Sequence, residues 1–202
     1  YGIIIQARMS SNRLPGKVLK DIFGKPMLQR QIERLKNKLD YPVVVATSNH
    51  PSDDPIEVLC KNLNTEIYRG SLDNVVSRFF NCSVEMGFTH IIRVGGDDPL
   101  IDPQCCLDLI RLNKESNSDF IFASNSDGWP YGCAAEMISL ETLKKILNQT
   151  NDPFCLEHTI PYIFDHPSSF KIVRALAPKE YQNKNFTLSV DYMKDFLLVE
   201  TV

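Results

Sequence analysis

The sequence predicts an α/β fold in which helices cover both faces of a mainly parallel β-sheet. Short apolar runs rich in β-branched or aromatic residues alternate with segments of helical spacing from the first residue onward. Residues that favour helix N-termini stand before several of the helical segments. Because parallel strands need long crossover connections, this alternation favours a parallel sheet. Elements follow one another without a linker, so we expect residues 1–202 to form one domain.

The first 124 residues alternate most regularly. The predicted strands are 2–6, 43–47, 66–68, 91–94 and 120–123. The predicted helices are 27–38, 56–63, 74–86 and 103–114. Ser52-Asp53, Asp73 and Asp102-Pro103 are the capping residues that we expect at the starts of the last three helices.

The remaining residues are less regular. Residues 129–132 read as a loop, and the last strand is expected to end at Asp191 before a terminal helix. The predicted strands here are 136–138, 170–175 and 186–190, and the predicted helices are 140–148 and 155–164.

Composition excludes several classes of protein. The net charge is -3, so no basic field favours DNA or RNA. No apolar run approaches the ~20 residues of a membrane span, and no basic leader precedes the first strand. The six cysteines include no Cys-x-x-Cys pair, which favours reduced structural thiols. We therefore expect a cytoplasmic protein that binds neither nucleic acid nor membrane.

The loop after the first strand carries the strongest chemical signal. Arg8, Arg13 and Lys17 lie within ten residues, between small residues such as Ser10. In open α/β sheets, ligands bind beyond the carboxyl ends of the strands, where this loop is expected. Such cations suit a triphosphate, although a solvated loop with surface ion pairs explains the charges equally well. The Gly-x-Gly-x-x-Gly pattern is absent and Lys17 precedes Val18, which argues against NAD enzymes and P-loop ATPases.

Two carboxylates follow predicted strands and suit a magnesium site. Asp97 ends the run Gly95-Gly96-Asp97, and Asp191 follows the last predicted strand. Mg²⁺ typically uses one or two carboxylates with waters and phosphate oxygens. We interpret Asp98 and Asp102 instead as turn formers or helix caps.

The ordered motifs resemble those of a known family. The run 6–17 (QARMSSNRLPGK), the stretch 93–102 (RVGGDDPLID), Glu157-His158 and the run 188–191 resemble the CMP-sugar synthetases, the spore-coat polysaccharide branch above all. This resemblance spans nearly the whole chain. It implies a Rossmann-like nucleotidyltransferase fold, with a nucleotide-binding N-terminal half and a sugar-binding C-terminal half.

The resemblance also implies roles for individual residues. Arg8 and Lys17 would hold and stabilise the CTP phosphates, and Asp97 would act with Asp191 on Mg²⁺. The implied nucleotide-binding residues are Ala7, Arg8, Ser10, Arg13, Lys17, Arg69, Ser71 and Arg93. The implied sugar-binding residues are Tyr131, Glu136 and His158.

The implied reaction is transfer of CMP from CTP to a sugar acid of the nonulosonic type, with release of pyrophosphate. Its partners would be CTP, the sugar and, as in relatives, a second copy in a homodimer. The chain departs from the family pattern at Gly95, at Ala134 and after Asp191. Two alternatives therefore stay open, a glycosyltransferase that uses a nucleotide sugar and a non-catalytic nucleotide-binding protein.

Overall fold

The computed structural model describes residues 1–181 and 187–202. The strands are β1 (Gly2–Gln6), β2 (Asp21–Ile22), β3 (Lys25–Pro26), β4 (Val43–Ser48), β5 (Glu66–Gly70), β6 (His90–Gly95), β7 (Phe120–Phe122), β8 (Glu136–Ser139) and β9 (Ile172–Arg174). The helices are α1 (Met27–Lys36), α2 (Asp54–Asn62), α3 (Val75–Met86), α4 (Pro103–Ser116), α5 (Leu140–Gln149), α6 (Pro153–His158), α7 (Ile160–Asp165) and α8 (Met193–Glu200).

Seven strands form the main sheet in the order β5-β4-β1-β6-β8-β7-β9. Every pairing in it is parallel except those of β8, which runs antiparallel to both β6 and β7. The mainly parallel sheet is therefore confirmed. The short hairpin of β2 and β3, which stands apart from the main sheet, was not predicted from the sequence.

Alternating side chains of the central strand supply the two faces of the sheet. Ile3 and Ile5 pack into the core with α1, α2, α4 and α8, whereas Ile4 packs into the core with α3, α5, α6 and α7. All three isoleucines are fully buried, as the period of two in a strand requires when both faces are covered. Helices on both faces are confirmed.

The C-terminal part differs from prediction in two places. The expected helix over 155–164 is broken at Thr159, a buried residue with φ of 55°, so α6 and α7 are separate. The expected strand over 186–190 begins at Phe186, which lies outside the described residues. Thr187 forms an isolated bridge to Tyr131, and 188–190 form no strand.

One capping prediction is wrong, one is confirmed in position only, and one is confirmed in full. Asn74, rather than Asp73, caps α3 by accepting a hydrogen bond from the Ser77 amide. Asp53 stands at the start of α2, but its side chain makes no capping bond because the loop after β1 uses it. Asp102 caps α4 as expected, through the Gln104 amide.

All six cysteines are free, and only Cys133 is more than slightly exposed. None of the helices within 1–181 and 187–202 combines the length and the apolar character that crossing a membrane requires.

Candidate active site

A cavity of about 930 Å³ opens at the carboxyl ends of β1 and β6. Its wall combines the loop after β1, the turn after β6 and the segment between β7 and β8. Among the predicted site residues, its lining includes Arg8, Ser10, Arg13, Lys17, Arg93, Asp97, Tyr131, Glu136 and His158. The position at strand ends is the usual one for ligands of open α/β sheets.

A buried carboxylate holds the loop after β1. Asp53 accepts hydrogen bonds from the Met9 amide at 2.7 Å and from the Ser48 hydroxyl at 2.5 Å. Burial alone would raise the pKa of Asp53, but the bonds from Met9 and Ser48 outweigh it and lower the pKa. The Met9 carbonyl in turn accepts a hydrogen bond from the Gly16 amide. Met9 therefore connects the end of the loop, at Gly16, to Asp53. The sequence suggested only a helix cap at Asp53.

The turn after β6 packs tightly against β1. The Gly96 amide donates to the Gln6 carbonyl at 2.8 Å, and a Cβ on Gly96 would lie 2.7 Å from that oxygen. Any other residue would therefore push β6 away from β1. The fully buried Gln31 fixes the same turn, because its amide donates to the carbonyls of Gly95 at 2.6 Å and Asp98 at 2.9 Å. Nothing in the sequence pointed to Gln31.

The predicted phosphate cations and the predicted metal carboxylates meet in one ionic cluster. The Lys17 ammonium, 7% exposed, donates to Asp97 at 2.9 Å, to Asp191 at 3.2 Å and to the Val190 carbonyl at 2.7 Å. Arg13 reaches the same Asp191 oxygen at 2.5 Å and is otherwise half exposed. The contacts to Asp97 and Asp191 join residues 80 and 174 positions apart in the chain.

Asp98 forms the predicted turn and also lines the cavity. Its backbone amide donates to the Gly95 carbonyl, as expected for a turn former, but its side chain also faces the cavity. Burial raises the pKa of Asp98 to about 7, and the neighbouring Asp97 charge adds to this, while Ser189 opposes it. A carboxyl near Asp97 therefore titrates close to neutral pH.

The opposite side of the cavity is lined by groups already paired with each other. Arg93 donates to Glu136 at 2.7 Å and to the Gln6 side chain at 3.3 Å. Arg93 in β6 and Glu136 in β8 are cross-strand partners. Their charges offset each other. Tyr131 is half exposed at the cavity, and His158 reaches it from the end of α6.

A short turn on this side was missed by the sequence analysis. Ser124, Asn125 and Ser126 line the cavity with hydroxyl and amide groups. Asp127 holds the turn, since its carboxylate accepts from Arg174 at 2.6 Å and from the Ser124 hydroxyl at 2.5 Å. The run of small polar residues after β7 was the available signal.

Three predicted nucleotide-binding residues do not line the cavity. Ala7 is buried at the end of β1, behind Gly96. Arg69 is bound to Asp54 at 2.7 Å and to Glu57 at 2.6 Å, and the Ser71 hydroxyl accepts from the amide of the α3 cap. For Arg69 and Ser71 the physical reason is topological, because β5 is an edge strand that β4 separates from β1.

This geometry is that of a nucleotidyltransferase: a mainly parallel sheet, and a cation-bearing loop after the first strand whose Lys17 contacts two carboxylates. Comparison with known proteins gives the family. A family model described as "Cytidylyltransferase" matches residues 2–199. The chain is 30% identical over 199 residues to the spore coat polysaccharide biosynthesis protein SpsF of Bacillus subtilis, covering 96% of this chain and 82% of SpsF. The chain therefore belongs to the cytidylyltransferase family.

Two further relatives agree with this assignment. A 3-deoxy-manno-octulosonate cytidylyltransferase of Polynucleobacter necessarius is 31% identical over 175 residues, which cover 84% of this chain and 66% of the relative. The solved structure of a cytidylyltransferase from Leptospira borgpetersenii is 28% identical and superposes with a TM-score of 0.91, over 99% of this chain and 84% of that one.

Proposed function

We propose that the protein transfers CMP from CTP to a sugar acid of the nonulosonic type and releases pyrophosphate, as a step in surface polysaccharide or glycan synthesis. One observation carries this proposal: Arg13, Lys17 and Asp97, joined to Asp191 by ion pairs, line the same cavity as a wall of hydroxyl groups. The names of SpsF and of the 3-deoxy-manno-octulosonate relative support the sugar acid and the polysaccharide context.

The residues of the cluster fit Mg²⁺. One ammonium contacts both Asp97 and Asp191, so the two carboxylates lie within reach of a single cation. Within 1–181 and 187–202, no group of three or more His, Cys, Asp or Glu side chains forms a metal cage. Two carboxylates completed by waters and phosphate oxygens are the set that Mg²⁺ commonly uses. Bound there, Mg²⁺ would offset phosphate charge and acidify the attacking hydroxyl.

The reaction would proceed by in-line displacement at the α-phosphorus of CTP. A sugar hydroxyl forms the new oxygen–phosphorus bond, the bond to the β-phosphate oxygen breaks, and the hydroxyl proton leaves to solvent. Arg8 and Lys17 would stabilise the pyrophosphate as negative charge accumulates on it. The loop tied by Asp53 would hold the backbone next to Arg8, whose guanidinium donates to Glu157 at 3.4 Å and would exchange that partner for phosphate.

The opposite wall would bind the acceptor sugar. Ser124, Asn125 and Ser126 offer neutral donors and acceptors that suit sugar hydroxyls. Tyr131 and His158 add a ring surface and a further polar group. Glu136 is neutralised by Arg93, so it would accept hydrogen bonds from hydroxyls without repelling an acidic substrate strongly.

The first experiment follows pyrophosphate release with Mg²⁺ and each of CTP, UTP, ATP and GTP, with and without a panel of sugar acids. Release that requires CTP and one sugar acid is the expected result. Release with no pair, despite stabilisation against melting by CTP, would contradict the transfer reaction and favour a nucleotide-binding protein. Hydrolysis of a CMP-sugar or UDP-sugar in place of CTP use would favour a glycosyltransferase.

A further inference from the structure

The backbone is strained at the break between α6 and α7. Thr159 has φ of 55° and ψ of -50°, close to the strained form of the γ-turn, which a Cβ disfavours. Phe23, Asn64 and Asn117 also have positive φ, but they are exposed, whereas Thr159 is β-branched and fully buried. Strain of this kind persists only where the surrounding structure imposes it, and it is common at functional sites.

Pro161 explains why the helix stops there. In one continuous helix, Pro161 would offer no amide to the Glu157 carbonyl, and its ring would clash with that group. Instead, the Thr159 amide closes α6 on the Cys155 carbonyl at 3.0 Å, and Pro161 lies in the first turn of α7. The sequence therefore requires a break before Pro161, and the tertiary structure places the strain of that break on Thr159.

The two residues before the break are connected with the cavity. Glu157 accepts a hydrogen bond at 3.4 Å from Arg8, a lining residue 149 positions away in the chain. His158 lines the cavity itself, and its ring lies against that of Phe154 with the centroids 4.8 Å apart. The Thr159 hydroxyl donates to the His158 carbonyl at 2.8 Å. The strained residue is thus bonded directly to a residue of the cavity wall.

A continuous helix would move these side chains. If Thr159 became helical, α6 and α7 would share one axis, and one of them would have to turn. Tyr162 and Ile163 of α7 are buried, whereas the buried residue of α6 is Cys155. Because α7 has more buried surface to lose, α6 is the segment that would turn, and it would carry His158 with it.

We propose that Thr159 and Pro161 are positioning residues for the acceptor, because the strained break holds His158 at the wall proposed to bind the sugar and Glu157 beside Arg8. Relaxation of Thr159 into a helical conformation removes His158 from that wall. The inference rests on the proposed function, since it takes the sugar acid as the ligand of that wall.

The kinetic test compares Pro161→Ala with the double variant Pro161→Ala/Thr159→Gly. Alanine permits a continuous helix, whereas glycine disfavours a helix and adopts φ of 55° without strain. The acceptor is the sugar acid that supports pyrophosphate release from CTP. Its KM should rise about tenfold in Pro161→Ala and return to within about twofold of the wild type in the double variant. The KM for CTP should change by no more than about threefold, since the pair of Arg8 and Glu157 is partly exposed.

Two measurements test the break without a substrate. The Cα chemical shift of residue 159 reports its backbone conformation, and it should be helical in Pro161→Ala but non-helical in the wild type and the double variant. Thr159→Gly and Thr159→Ala both lose the hydroxyl and differ only in the Cβ. Glycine normally makes a protein less stable than alanine does, but a strained positive φ reverses that order. Thr159→Gly should therefore melt about 2 °C or more above Thr159→Ala.

The matched control is Pro153→Ala. Pro153 begins α6 and is exposed, so the same substitution leaves the break in place. Both KM values and the chemical shift of residue 159 should equal those of the wild type.

Four outcomes count against the inference. A helical residue 159 in Pro161→Ala with an unchanged KM for the sugar acid would show that the break does not position His158. A non-helical residue 159 in that variant would show that Pro161 does not impose the break. A double variant whose KM stays raised would remove Thr159 from the positioning role, and Thr159→Gly that melts below Thr159→Ala would show that the backbone is not strained.

Failure of the proposed function gives a different result. A wild-type protein that releases pyrophosphate with no sugar acid would overturn that function and the acceptor role together. The chemical shifts and melting temperatures would still show whether Pro161 and Thr159 form a strained break, which separates the two failures.

Discussion

The two sides of the cavity carry their charges in different ways. On the side proposed to bind the nucleotide (the nucleotide side), Lys17 and Arg13 are paired with Asp97 and Asp191, so the groups expected to bind phosphate are paired with those expected to bind metal. On the side proposed to bind the acceptor sugar (the acceptor side), the charged pair of Arg93 and Glu136 comes from neighbouring strands and shapes the wall.

This difference indicates how each side would receive its ligand. Binding of a metal–nucleotide complex requires the nucleotide side to exchange its internal partners for ligand atoms, so the metal and the nucleotide should depend on each other. The acceptor side needs no such exchange, because Asp127 and Arg174 already hold the turn at Ser124–Ser126. Substitutions that remove a charge should therefore change the activity strongly on the nucleotide side and more moderately on the acceptor side.

The largest effect is expected for Asp97→Asn. Loss of one of the two proposed metal-binding carboxylates should lower kcat about a thousandfold or more, because charge on the phosphates is no longer offset. The protein should still fold, as Asp97 is one-third exposed. Pyrophosphate release and circular dichroism measure the two quantities. Asp108→Asn, on the outer face of α4, is the control, and near-normal turnover of Asp97→Asn would remove Asp97 from the metal site.

Lys17→Gln tests the exchange of partners directly. Without Lys17, Asp97 loses its ion pair and Asp191 keeps the one to Arg13, so the free energy of unfolding at pH 7 should fall by about 2 kcal/mol, less than for a fully buried pair. Mg²⁺ alone should restore more stability to this variant than it adds to the wild type, while the KM for CTP rises about tenfold or more. Urea unfolding with and without Mg²⁺ gives the comparison.

Lys25→Gln is the control for that variant. Lys25 forms a half-exposed pair with Glu33 at 2.7 Å, outside the cavity lining. The Lys25→Gln variant should lose less than about 1 kcal/mol of unfolding free energy, and Mg²⁺ should stabilise it as much as it stabilises the wild type. If Mg²⁺ stabilised Lys17→Gln no more than Lys25→Gln, the two sides of the cavity would not differ as described.

Glu136→Gln addresses the acceptor side. Removing the carboxylate frees Arg93 and weakens hydrogen bonds to the sugar, so the KM for the sugar should rise about tenfold while the KM for CTP changes little. Steady-state kinetics with each substrate varied in turn separates the two constants. Glu115→Gln, on the exposed end of α4, should change neither; an equal rise in both constants would show that the sides are not independent.

The smallest effect on catalysis is expected for Asp53→Asn. This change weakens the hold on Met9, so the KM for CTP should rise a few-fold and stability at pH 7 should fall by about 1–3 kcal/mol. Because the folded-state pKa of Asp53 lies below its usual 3.8, its contribution is complete above that value and disappears as pH falls through the lower one. The stability gap between wild type and variant should therefore close in that acidic range, as urea unfolding at a series of pH values would measure.

Local patterns were enough to predict most of the secondary structure. The apolar runs around Ile4 and Ile92 and the capped segment after Asp102 depend on periodicity and on neighbouring residues, which the chain itself displays. Prediction failed where a neighbour distant in sequence had already engaged a side chain, as at Asp53, or where the backbone left the helical region, as at Thr159.

The sequence by itself determined the alternating sheet, the cation-bearing loop after β1 and the family that these motifs resemble. Tertiary structure alone decided which side chains meet: Lys17 with Asp97 and Asp191, and Arg69 with Asp54 and Glu57. The physical reason is the distance along the chain over which each effect acts. Hydrophobic periodicity and capping act over a few residues. Ion pairs and burial depend on which strands are neighbours in the sheet, because neighbouring strands bring their ends side by side.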